Sequence, residues 1–241
     1  MLQLRKTEPF AKGGNRLCYV HPDKPDCCVK VRRPDFPLEE RRRKKGFPKN
    51  LRPLSSFDDN LEEFKVMTGL GRHYGNCVFR HISRCFGFAD TDMGKGLVSE
   101  LIRDGDGRVS QTLKKYIWDF GMTSVVEQKI NELTDFWREL RIPSRDLLLH
   151  NIVVQCGEEG RILRLVVIDG LGSSGVLPLR VLPVFFQDRR ITSKIVNMEK
   201  RIQRLLNERG ERSFPGPHGL LLHDGLPESA EQKHTPLGTE Q

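Results

Sequence analysis

The sequence is short of several things, and each shortage narrows what it can be. No run of 18 or more apolar residues occurs in its 241 residues, so no membrane span is expected. The first residues, Met-Leu-Gln-Leu-Arg-Lys-Thr-Glu, carry no apolar signal segment, which makes the cytoplasm the expected compartment. Six cysteines stand at 18, 27, 28, 77, 85 and 156, but no two are spaced Cys-x-x-Cys and no histidine completes a zinc set. Reduced, mostly buried thiols are expected instead. Aromatic residues make up 7% of the chain, and they do not interleave with the basic residues as stacking platforms do. That counts against a nucleic-acid partner, although the formal charge is +8 and would suit an acidic one. Much of the excess sits in Arg41-Arg42-Arg43-Lys44-Lys45, directly after Glu39-Glu40, and such a run reads first as a solvated loop. There is no internal repeat, and Gly13-Gly14-Asn15-Arg16 is not a full Gly-x-Gly-x-x-Gly.

What the chain does have is gathered between Trp137 and Gly172. Asp146 and Asn151 stand five apart, with three leucines and a histidine between them. Asp169 ends an apolar, strand-like run and is followed at once by Gly170. Protein kinases space a catalytic Asp, a metal-binding Asn and a second metal-binding Asp in this order. Magnesium takes hard oxygen ligands, often one or two side chains with phosphates and water. Asp169 can supply a carboxylate oxygen and Asn151 an amide oxygen. Asp146 is then free to accept a hydrogen bond or proton from an acceptor hydroxyl. Singly, each residue has a plainer role: Asp146 can cap a turn, Asn151 can bridge loop hydrogen bonds, and Asp-Gly is a common turn after a strand. Jointly, the arrangement is kinase-like.

Upstream, Leu17–Val20 and Cys27–Val31 read as a β-hairpin after a Gly13-Gly14 turn. The two glycines can bring backbone N–H groups near a phosphate, or simply form a tight turn. Lys30, flanked by valines, is either on an exposed strand face or the lysine that holds nucleotide phosphates. Residues 33–57 hold four prolines and the basic run and read as a long irregular connection. A helix from about Asn60 carries Leu61, Phe64, Met67 and Leu70 on one face. Its Glu63 is either a capping-box partner of Asn60 or the carboxylate that steadies Lys30, with Glu62 the other candidate for that pairing. Gly94–Ile102 is a hairpin arm whose backbone, about Glu100 and Ile102, would meet an adenine in a kinase-like protein. Thr112–Phe120 suggests a short helix. A longer helix is predicted from a Ser124/Glu127 capping box, with Val126, Ile130, Leu133, Trp137 and Leu140 as its stripe and Pro143 past its end. Ile152–Gln155 and Ile162–Ile168 read as a hairpin with Asn151 at its start and Asp169 at its end. Beyond Ser173-Ser174-Gly175, Ile191, Ile195, Met198, Ile202 and Leu205 mark a last amphipathic helix. From about Glu208 the chain is polar and rich in Gly, Pro and His, which reads as a disordered tail with Leu220-Leu221-Leu222 as a transient docking spot.

At Arg16-Leu-Cys-Tyr-Val-His-Pro22, the Lys30 strand, Leu97-Val98 through Asp106-Gly107, and Asn151-Ile152 with Asp169, the sequence resembles the PhoP regulatory network protein YrbL family. This is a bacterial branch of the protein-kinase-like superfamily. The resemblance spans about residues 5–205. It implies an α+β fold of two lobes: residues 1–102 as a small nucleotide-binding sheet with one helix, and residues 103–207 as a reduced, mainly helical lobe. Residues 208–241 fall outside it. It implies ATP and Mg2+ as cofactors, with Gly13, Gly14, Arg16, Lys30, Glu100 and Ile102 around the nucleotide. Lys30, Glu63 and Asp146 would be catalytic, and Asn151 and Asp169 would bind the metal. The phosphate acceptor is left open, and a regulatory protein partner is suggested. Four departures stand beside the match. The phosphate loop is Gly13-Gly14-Asn15-Arg16, Ser144 replaces the usual His, Asp169-Gly170-Leu171 replaces Asp-Phe-Gly, and no Ala-Pro-Glu segment follows. They leave a pseudokinase, a kinase-shaped interaction module, as the alternative to a phosphotransferase.

Overall fold

In the computed structural model of the chain, the described residues are 1–47, 49–51, 53–172, 179–210 and 213–226. The N-terminal half is built on strand alternation. β1 (Ala11–Lys12), β2 (Arg16–His21) and β3 (Lys24–Arg32) form an antiparallel meander in which Cys18 faces Lys30 and Val20 faces Cys28. Because side chains alternate along a strand, Arg16, Cys18, Cys28 and Lys30 share one face. Tyr19, Val29 and Val31 lie on the other, packed with Leu4. β4 (Cys85–Thr91) and β5 (Gly94–Glu100) complete a five-stranded sheet in the order β1-β2-β3-β5-β4, with Leu97 opposite Lys30. Gly96 on β5 has no room for a side chain: a Cβ there would lie 2.6 Å from a methyl of Val29.

The long connection is less irregular than its prolines imply. It contains α1 (Leu38–Lys44) and two 3-10 turns, Lys49–Leu51 and Leu54–Phe57. The basic run closes α1 rather than forming a loop, and cations are favourable at a helix C-terminus. Arg41 of that run pairs with Asp59. α2 (Asp59–Tyr74) is capped by Asp58, whose carboxylate accepts from Asn60 N at 3.0 Å and Leu61 N at 3.3 Å. Of the two readings of Glu63, the capping box with Asn60 is therefore not the one used. Its two side chains turn inward, and the buried stripe of α2 is Asn60, Glu63, Met67 and Leu70.

The C-terminal half packs α3 (Leu113–Phe120), α4 (Ser124–Leu140) and α5 (Val184–Glu208) around the hairpin of β6 (Ile152–Cys156) and β7 (Ile162–Val167). The cap of α4 is Thr123, one residue before the expected Ser124, with its hydroxyl accepting from Val126 N at 3.3 Å. The expected stripes hold. Val126, Ile130, Leu133 and Trp137 of α4 are buried, and so are Ile191, Ile195, Met198, Ile202 and Leu205 of α5. Each such burial contributes about 1.5–3 kcal/mol of favourable transfer. One apolar cluster joins these stripes to Met67 and Leu70 of α2, so α2 ties the sheet to the helices.

Three expectations need adjusting. The thiols are free but not mostly buried: only Cys28 is, and Cys77 is exposed. The Ser173–Gly175 stretch lies outside the described residues, as do residues 227–241. The tail is not structureless throughout. Residues 213–226 pack on the body, with Leu222 N donating to Phe10 O at 2.7 Å and Val109 N donating to Asp224 O at 2.8 Å. The leucines and Phe214 supply apolar contacts that the Gly/Pro/His composition hides.

Candidate active site

Lys30 is the fixed point of the site. Strand alternation turns it away from Val29 and Val31, and it is buried. Its Nζ donates to Glu63 Oε1 at 2.6 Å and to Ile168 O at 2.9 Å. Burial acts most strongly and disfavours the ammonium, but Glu63 and Asp169 together favour it, and the lysine pKa ends above its ordinary value. Glu62 does not take this place, because its carboxylate faces Lys65 and Arg145 at 3.9 and 3.8 Å.

Arg16 completes a closed set of charges that the sequence reading did not foresee. It is buried on the same sheet face as Lys30. Nη1 donates to Asn60 Oδ1 at 3.2 Å and pairs with Glu63 Oε2, while Nη2 pairs with Asp169 Oδ2. Asn60 in turn donates to Lys30 O at 2.8 Å. Two cations and two carboxylates thus neutralise one another beneath the sheet. Burial alone would raise the Asp169 pKa, but Arg16 first, then Lys30 and the Gly170 N–H, hold it at about 2. Asp169 nonetheless keeps 43% of its side-chain surface open to solvent.

The loop after α4 lies beside the one after β7. Arg145 N donates to Gly170 O at 2.8 Å, and Gly172 N donates to Pro143 O at 2.9 Å. Trp137 Nε1 donates to Ser144 Oγ at 3.3 Å, which pins the loop where protein kinases usually have His. Gly170 has a left-handed φ of +82°, and a Cβ there would sit 2.9 Å from Asp146 O and 3.0 Å from Asn151 Nδ2. Only a bare residue lets the two loops and Asn151 close up this far. Asp146 is not free. Arg201 of α5 donates to both its oxygens, at 3.1 and 2.6 Å, and Leu147 N adds a third bond at 3.1 Å. Sequence reasoning missed Arg201 because a basic residue beside a helix stripe is ordinary; nothing in its spacing points to Asp146.

Lys30, Arg16, Asn151 and Asp169 line one cleft of about 150 Å³. Gly13, Glu100 and Ile102 line it too. Glu63 and Asp146 are not lining residues: Glu63 sits behind Lys30, and Asp146 behind Gly170. Gly14 is also outside the lining, and its carbonyl accepts from Arg33 Nη1 at 3.3 Å. The Glu100 N–H is already given to Arg84 O at 2.8 Å. The far wall is apolar, made by Cys28, Leu101, Ile102, Val109, Val153 and Ile168. Cations at one end and an apolar slot at the other suit a ligand with phosphates and a flat base. The hard oxygens of Asn151 and Asp169 suit magnesium, provided Arg16 releases Asp169.

A sheet lysine paired to a helix glutamate, set over a helical body whose two loops bring together Asp, Asn and Asp-Gly, defines a protein-kinase-like α+β protein. The chain belongs to the PhoP regulatory network protein YrbL family, whose model matches residues 2–203. It is 28% identical over 182 residues to YrbL of Escherichia coli (strain K12) and to YrbL of Shigella flexneri, covering 74% of this chain and 77% of each relative. Among solved structures it is similar to the crystal structure of Rad53 1-466 in complex with AMP-PNP, at 15% identity and a TM-score of 0.46. That match covers 88% of this chain, which spans half the length of the Rad53 chain. No helix of the described residues is long and apolar enough to cross a membrane.

Proposed function

We propose that the protein is an atypical kinase-like phosphotransferase that uses Mg-ATP in the cytoplasm. The observation that carries this is the buried Lys30–Glu63 pair facing Asn151 and Asp169 across one cleft. Phosphoryl transfer asks the protein mainly for position and charge. Lys30, steadied by Glu63, sets an ammonium toward the phosphates. Gly13 lines the cleft, but its N–H is given to Arg16 O at 2.9 Å, so a backbone contact to phosphate there would have to displace that bond. Glu100 and Ile102 border the slot for the base. Asn151 and Asp169 would hold magnesium, which supplies charge neutralisation on the phosphate oxygens. Once Asp169 turns to the metal, the Arg16 guanidinium becomes a second cation for phosphate. Asp146, oriented by Arg201, accepts the hydrogen bond of the acceptor hydroxyl. The family description suggests that the acceptor or a partner belongs to bacterial regulation.

The test is Mg-ATP turnover or autophosphorylation by the purified chain, with Asp146→Ala and Asp169→Ala beside it. Loss in both variants is expected; equal activity in all three proteins would remove the assignment. A second reading, a pseudokinase that serves as an interaction module, is favoured by the two arginines that hold Asp169 and Asp146. A thermal shift with Mg-ATP but no turnover would select it. No response to nucleotide would leave a scaffold.

A further inference from the structure

Residues 213–226 run as a strap across the mouth of the cleft. The strap begins on the helical side, where the Phe214 ring meets Trp118 edge-on at 5.8 Å. Lys114 Nζ donates to His218 O at 3.0 Å, and Thr112 Oγ1 donates to Gly219 O at 2.7 Å. The His218 ring stacks on His150 at 5.4 Å. The strap then crosses to the sheet side. Leu222 N donates to Phe10 O at 2.7 Å and His223 Nε2 donates to Glu8 O at 3.2 Å. It returns past Val109, whose N–H donates to Asp224 O at 2.8 Å. Arg103 Nη1 donates to Gly225 O at 3.2 Å. It therefore bonds to both halves of the molecule at once.

Its middle enters the slot. His218, Gly219, Leu220 and Leu221 are lining residues of the cleft, and Leu221 packs with Phe10, Cys28, Leu101 and Val109. The same apolar wall is the one a nucleotide base would use. With the strap in place the cleft holds about 150 Å³, well below the roughly 300–1,000 Å³ of typical small-molecule sites. Two glycines permit this course. Gly219 has φ +97°, with a Cβ position 3.0 Å from Thr112 Oγ1, and Gly225 has φ +72°, with a Cβ position 2.5 Å from a Val109 methyl. The strap lies beyond residues 2–203, the part of the chain that matches the family model.

We propose that this strap is an intramolecular plug: Leu220-Leu221 fill the base slot, and the strap must withdraw before a nucleotide can enter. The proposal takes its ligand from the nucleotide reading of the cleft, whereas the seat of the strap stands without it. The test uses two full-length variants, Gly219→Ala/Gly225→Ala and Leu221→Asp. The first strains the backbone and crowds Thr112 and Val109; the second puts a carboxylate in an apolar slot. None of the three residues belongs to the charge set. Protease cleavage within 213–226 reads whether the strap is open, and a fluorescent ATP analogue with magnesium reads affinity. Both variants are expected to be cut faster and to bind at least tenfold tighter, and a synthetic 213–226 peptide added in trans is expected to weaken that binding. Equal or weaker binding with the strap cut overturns the plug and leaves the nucleotide reading intact. Absence of binding by every protein overturns both. A strap that stays protected in both variants contradicts its contacts and overturns the plug as well.

Discussion

The sheet half and the helical half hold the acidic groups behind the cleft by opposite means. On the sheet side, Lys30 and Glu63 have side-chain exposures of 7% and 6%, and Arg16 closes the set. On the helical side, Asp146 and Arg201 are 28% and 34% exposed. A buried charge without its partner costs far more than a solvated one. The sheet side is therefore rigid and the Asp146 side adjustable, as suits a fixed phosphate grip beside a group that must exchange partners.

The hardest blow to that contrast is Glu63→Gln. It leaves two buried cations short of one carboxylate, so a stability loss of about 3–5 kcal/mol is expected in urea denaturation. Gln keeps the volume, so a loss below 1 kcal/mol would mean the set is more solvated than its burial states. Asp169→Asn comes next. The Asp169 pKa lies below its ordinary value, so its stabilisation is present above about pH 3.8 and is lost as the pH falls toward about 2. The Asn variant should lose that part of the acid limb, read by thermal melts across the range, and should also lose turnover.

Arg201→Ala should behave differently. The pair is partly solvated, so stability should change by about 1 kcal/mol or less. Turnover should fall at least tenfold while KM for ATP holds, and Arg201→Lys should restore part of it. A matching rise in KM would refute a positioning role. The smallest effect concerns His150. Burial first, then His218, Lys114 and Arg201, push its pKa down to about 4, against an opposing pull from Asp169. A depressed histidine pKa means that the strapped state is favoured above about pH 6.5 and weakens as the pH falls toward 4. Protease cutting of the strap should therefore rise modestly between pH 7 and pH 5, and His150→Phe should flatten that rise.

The α4 and α5 stripes, the 152–168 hairpin and Lys30 on its strand match the sequence reading, whereas on α2 Leu61 and Phe64 are only half-buried and Asn60 and Glu63 take the inner face. The triplet Asp146, Asn151 and Asp169 was legible as well, because its order and spacing are set by two adjacent loops. What was not legible is pairing across the fold. Arg16 and Asp169 are 153 residues apart, and Arg201 and Asp146 are 55 apart; no local pattern joins them. Helix caps slipped by a residue or two because Asp58 and Thr123 were each the better-placed acceptor. The strap was hidden by composition, since glycine and proline mark a turn-rich path as readily as a disordered one.

The strap follows within a few residues of the end of α5 at Glu208, so it travels with the cleft it closes. A tethered ligand of this kind acts at an effective concentration in the millimolar range, whatever the abundance of the protein. Dilution cannot release it and crowding of copies cannot strengthen it. A competitor would have to outweigh a neighbour that never leaves.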